Sequence, residues 1–139
     1  MPRTRVETRA RARVLQALYA WDLRGEQRLD RVATQIWDDL SVPPDERKLA
    51  SLLVRTSIEH GAELDSEISE VTTNWRLERL GVIDRCVLRL GAAELHRGET
   101  PPRVVIQEAV RLAERYGSVK SAKFVNGVLD ALARRMGRM

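Results

Sequence analysis

Apolar residues return every three or four positions along most of this chain, and nowhere do they alternate in twos with β-branched residues. That spacing is the period of one helix face, while a half-buried strand needs a period of two. No Asn-Gly turn joins two strand-like runs, so hairpins lack their strongest short-range signal. The fold class is therefore all-α.

The stripe Ala10, Val14, Ala17, Leu18 and Trp21 predicts a first helix over 5–24, stopped by Gly25. Val32, Ile36, Trp37 and Leu40 form the inward face of a second helix over 29–40. Pro43 and Pro44 then break the chain, because the residue before a proline avoids the helical region. A third helix over 45–60 buries Leu49, Leu52, Leu53 and Thr56, Gly61 ends or bends it, and a weaker fourth follows over 62–73. A helical turn over 75–80 leads into a strong helix over 82–97, with Ile83, Cys86, Val87, Leu90 and Leu95 inward. Pro101 and Pro102 introduce a helix over 103–116 that packs through Val105 to Tyr116, and the last helix starts near Ser121. The expected architecture is about seven helices in two packed helical sub-bundles, roughly 1–61 and 62–139, within a single domain.

Charge narrows the function. The net charge of +4 sits in the first 13 residues, where Arg3, Arg5, Arg9, Arg11 and Arg13 face one acid, Glu7. The other 19 basic residues are matched by 19 acidic ones. A local cationic excess on a balanced body is the electrostatic footprint of a polyanion partner, although a solvated basic tail has the same composition. The single cysteine allows no internal disulfide, and the basic N-terminus lacks the apolar stretch of a secretory signal. No apolar run approaches the roughly 18 residues that would span a bilayer. A cytoplasmic setting is expected.

Catalytic chemistry is hard to assemble. His60, His96 and Cys86 show no metal-ligand spacing. Cys86 falls on an apolar helix face, as a packing thiol does. Glycine-rich phosphate loops require a preceding strand, and none is expected. Asp45 and Glu46 stand where first-turn carboxylates stabilise a helix start. No enzyme activity, cofactor or metal is expected.

On the first helix, Arg5, Arg9, Arg13 and Gln16 share one side, opposite the apolar stripe, and Tyr19 lies beside them. Like charges at i, i+4 repel one another, so a row kept without interleaved acids fits an anionic ligand. Guanidinium groups with a flanking aromatic suit single-stranded RNA, whose bases are open to stacking. Duplex recognition is less favoured, because no helix-turn-helix spacing appears. Partial core burial is the competing reading of Tyr19. Lys123 and Phe124 form a second candidate, with Phe124 at the edge of the Val125–Val128–Leu132 stripe, and core burial competes there too.

Three blocks resemble the NusB family of transcription antitermination proteins: Arg11 to Trp21; Asn74 to Leu80 continued by Ile83-Asp84-Arg85 and Val87 to Leu95; and Pro102 to Ser118 followed by Lys123 to Asp130. The resemblance spans nearly the whole chain, and 22–60 is its least diagnostic part. It implies a NusB-like fold, no catalysis, and binding of the single-stranded boxA element of ribosomal RNA transcripts. It also implies a partner, the small-subunit ribosomal protein NusE, within an antitermination complex on RNA polymerase. By this resemblance the Arg-rich first helix and the region around Phe124 face RNA; with the residue reading above, the RNA candidates are Arg5, Arg9, Arg11, Arg13, Gln16, Tyr19, Lys123 and Phe124, and the NusE candidates are Asp84 and Lys120. Lys120 departs from the pattern, since relatives can carry an acid there. Some relatives self-associate through the first helix, which leaves a homodimer open.

Two other readings remain. NusB-like domains also occur fused to ribosomal RNA cytosine methyltransferases, and on the expectation that this chain stops at Met139 it lacks such an extension. A protein scaffold could use the arginine face on an acidic partner instead. Replacing Arg9 and Arg13 with alanine together is expected to weaken RNA binding and spare the fold.

Overall fold

In the computed structural model, residues 5–25, 27–72 and 76–139 are described. Among them there are six α-helices, one 3-10 turn and no strand. The helices are α1 (Arg5–Arg24), α2 (Leu29–Asp39), α3 (Pro44–Val71), α4 (Val82–Arg97), α5 (Pro102–Tyr116) and α6 (Val119–Arg135), with the turn at Leu77–Arg79. The expected turn over 75–80 falls partly outside the described residues, and so do Asn74 and Trp75 of the second motif block.

One boundary overturns the sequence reading. The predicted third and fourth helices are a single helix, α3, which runs through Gly61 without a break. A mid-helix glycine costs about 1 kcal/mol relative to alanine, too little to stop a helix with buried residues on both sides, here Leu53, Val54, Leu64 and Ile68. The helix count falls from about seven to six accordingly.

Tertiary contacts divide the chain into two compact units, 1–59 and 60–139. In the first, α1 packs on α2. Ala10, Val14, Ala17 and Leu18 of α1 are buried, as are Val32, Ala33 and Trp37 of α2 and Ala50, Leu53 and Val54 of α3. The Trp37 indole Nε1 donates to the backbone carbonyl of Arg13 at 3.1 Å, tying α2 to α1 at mid-length. Leu40, expected inward, is 50% exposed, because it lies just past the end of α2.

In the second unit α4, α5 and α6 pack on one another. The middle of α4 is buried on all sides, from Cys86 to Leu95 apart from Arg89. Gly91 permits this: a Cβ built there would lie 2.7 Å from a methyl carbon of the fully buried Leu129 on α6. Arg89 holds Asp65 of α3 through two bonds, Nε to Oδ1 and Nη2 to Oδ2, each 3.1 Å. Arg85 Nη1 donates to the Leu80 carbonyl at 2.9 Å and so secures the end of the 3-10 turn. Gly98 closes α4 in the left-handed conformation at φ 70°, where a side chain would be strained. The Ser118 hydroxyl accepts from the Ser121 amide at 3.0 Å and caps α6, which therefore starts two residues earlier than its apolar stripe suggests. Tyr116, expected inward, is 45% exposed at the end of α5.

Candidate nucleic-acid interface

The α1 face is built by helical rotation of about 100° per residue. Arg9, Arg13 and Gln16 fall within one narrow sector, and Tyr19 flanks it. Arg9 is exposed, Tyr19 is 40% exposed, and Arg13 and Gln16 are half-buried. Arg5 opens the helix, but its side chain lies outside the described part. Leu23, one turn beyond Tyr19, is 62% exposed and extends the apolar edge of this side. Its i, i+4 relation to Tyr19 was the available sequence signal.

Arg11 is a correction. It was expected to face RNA, yet it is buried, with 5% of its surface exposed. The same rotation explains this: Arg11 is three residues before Val14 and seven before Leu18, so it points with the apolar stripe and away from Arg9. It belongs to the interior of α1's contacts.

The largest departure comes from α3. Asp45 behaves as a first-turn carboxylate, its Oδ1 accepting from the Glu46 amide at 2.8 Å. Glu46 instead turns inward and is 3% exposed. Arg13 Nε donates to its Oε1 at 3.1 Å, and Arg9 Nη1 stands 3.8 Å from its Oε2. Arg13 Nη1 also donates to Gln16 Oε1 at 3.3 Å. The basic row is thus anchored from below by an acid 33 residues away, and Arg13 keeps 26% of its side chain exposed. This alters the expected outcome for the Arg9 and Arg13 double alanine variant. Removing Arg13 takes from a buried carboxylate its hydrogen-bond donor, so a stability cost is expected beside the loss of binding.

In the second unit, Lys123 is exposed and Phe124 half-buried, adjacent on α6. Lys123 borders an open groove between α5 and α6, together with Arg103, Gln107 and Asn126. Asp84 lies half-buried in the first turn of α4, and among the described residues its Oδ1 is buried without a hydrogen-bond partner. Lys120 is exposed near the start of α6.

No group of three or more His, Cys, Asp or Glu side chains able to hold a metal occurs among the described residues. His60 and His96, distant in sequence, bring their rings to 4.2 Å between centroids. Cys86 is buried. Among the described residues no helix is long and apolar enough to cross a membrane.

Comparison with known proteins supplies the family. A family model described as the NusB family matches residues 8–134. A transcription antitermination protein NusB of Anaeromyxobacter dehalogenans is 46% identical over 129 residues, covering 91% of this chain and 89% of the relative. The corresponding protein of Sorangium cellulosum is 45% identical over 130 residues, covering 93% and 92%. Among solved structures, NusB of T. maritima superposes with a TM-score of 0.83 at 35% identity, covering 96% of this chain and 93% of that one. A crystal structure of antitermination factors NusB and NusE in complex with dsRNA superposes with a TM-score of 0.87 at 33% identity, covering 96% and 99%. With the family model, two curated relatives and two solved folds all matching over nearly its full length, this chain belongs to the NusB family of transcription antitermination proteins.

Proposed function

We propose that this protein acts in the cytoplasm by binding the single-stranded boxA element of ribosomal RNA transcripts together with NusE, as part of an antitermination complex on RNA polymerase. The observation that carries the reading is the outer side of α1, where exposed Arg9 and the open edge of Arg13 stand beside a 40% exposed tyrosine. Guanidinium groups neutralise phosphates, and the ring offers a stacking surface for an unpaired base. Lys123 and Phe124 repeat the same pairing of cation and aromatic on α6. Arg5 is assigned to the RNA side with them, as is Gln16, whose carbonyl steadies Arg13. Asp84 and Lys120 are assigned to NusE. Support at Asp84 comes from its unsatisfied buried oxygen, which an incoming donor would satisfy.

A related structure contains dsRNA, so the test carries a duplex arm. Labelled boxA RNA is titrated with and without NusE, beside a scrambled single strand and a boxA duplex. The expected order is boxA above scrambled strand and duplex, tightened by NusE. About four phosphate contacts give a log–log salt slope of roughly −3 on single-stranded RNA. Arg9→Ala, which strands no buried group, should lower boxA affinity and flatten that slope by about one contact's share. Equal affinity for boxA and scrambled RNA in the presence of NusE refutes the proposal.

A further inference from the structure

We infer that Glu46 is a positioning residue for RNA binding: its buried carboxylate fixes Arg13 of α1 in the pose that meets phosphate. The inference rests on the RNA reading above and adds to it a residue from another helix, which no basic-patch argument would select.

An arginine on a helix surface has four rotatable bonds and must lose that freedom when it binds a phosphate. Arg13 has already lost much of it. Its Nε is taken by Glu46 Oε1 at 3.1 Å and its Nη1 by Gln16 Oε1 at 3.3 Å. The backbone beneath it is held by the Trp37 indole at 3.1 Å. Arg9 is drawn towards the same carboxylate, 3.8 Å from Oε2, while it stays 57% exposed. Glu46 itself is 3% exposed, so it lies beneath the arginines and does not compete with the ligand at the surface. The result is one guanidinium, that of Arg13, set in place before a ligand arrives with Arg9 drawn loosely beside it, and preorganisation of this kind adds affinity by lowering the ordering cost at binding. Its partner class follows from the RNA reading: a phosphodiester strand, whose oxygens accept from the donor-only guanidinium edges.

Two accounts of Glu46 predict opposite signs. If only net charge counts, replacing an acid this close to the cationic face strengthens binding of an anion and steepens the salt slope. If position counts, binding weakens although a negative charge has gone.

The experiment titrates boxA RNA against the unaltered protein, Glu46→Gln, Glu46→Leu, Arg13→Gln and the Glu46→Leu/Arg13→Gln double variant, across a salt series. Thermal unfolding of each variant sets a working temperature at which every one is folded. Glu46→Leu should weaken binding about threefold to tenfold, as expected from freeing one or two ordered side chains. Glu46→Gln, which keeps an acceptor, should weaken it less. In the Arg13→Gln background the Glu46 substitution should have little further effect, because the side chain it positions is gone. Unchanged or tighter binding by Glu46→Leu overturns the inference while leaving the RNA reading intact. So does a full additional loss in the Arg13→Gln background. Failure of the unaltered protein to prefer boxA removes both.

Discussion

Replacing Arg13 with alanine should destabilise the protein far more than replacing Arg9, although both are arginines on one face of α1. Glu46 is 3% exposed, and Arg13 is the group that hydrogen-bonds its carboxylate. Breaking a buried ion pair from one side costs about 3–5 kcal/mol, because the remaining charge stays desolvated. Two features lower the figure here. Arg13 is 26% exposed, so water reaches the site once its side chain is cut back, and Arg9 at 3.8 Å can close on the carboxylate. A loss of about 2–3 kcal/mol follows for Arg13→Ala. Arg9 is 57% exposed and its contact is long, so Arg9→Ala should cost under about 0.5 kcal/mol. Urea unfolding of each variant measures both values. Adding Glu46→Gln to Arg13→Ala should recover stability, since a neutral amide is cheaper to bury than a lone charge. Equal losses for the two arginine variants, or no recovery in the double variant, would refute the argument. The result also governs how binding experiments are interpreted: a weak signal from Arg13→Ala reports partly on folding, and one from Arg9→Ala reports on the surface.

Two further outcomes are expected. Gly61→Ala should raise stability by about 0.5–1 kcal/mol, because α3 is helical there and nothing lies within 4 Å of the new methyl. Gly91→Ala should lower it by about 1–2 kcal/mol, the overpacking against Leu129 outweighing the helix gain; urea unfolding tests both, and the same sign for the two would contradict the packing at α4. The Asp30 carboxyl is held below the ordinary aspartate range, first by its hydrogen bonds from the Arg28 guanidinium and against an opposing desolvation. Its folded value lies below its unfolded one, so the pair's contribution is present at neutral pH and fades as the pH falls through the lowered value. An NMR titration of Asp30 should therefore move upward in Arg28→Gln, and an unmoved midpoint would rule out the assigned cause.

The helices were legible in the sequence where one face is buried throughout. α1 runs from Arg5 to Arg24 as its stripe predicts, and Gly98 ends α4. Gly61 reads locally as an end or a bend, whereas burial of Leu64 and Ile68 continues the helix through it. Arg11 could have been placed correctly from rotation alone; counting it with its neighbours by charge hid its position on the apolar side. Glu46 is a different case. Its role depends on a contact 33 residues away, and in sequence it resembles any first-turn acid. Periodicity reports which way a side chain points on its own helix, and it carries no information on what the next helix places underneath. For a binding face made of arginines that second layer decides the chemistry. Without a buried carboxylate the Arg13 guanidinium would belong to a loose cationic fringe; with one it is a held donor. A search for RNA-binding residues among basic side chains alone therefore misses an acid whose removal, on the reasoning above, weakens the grip on an anion.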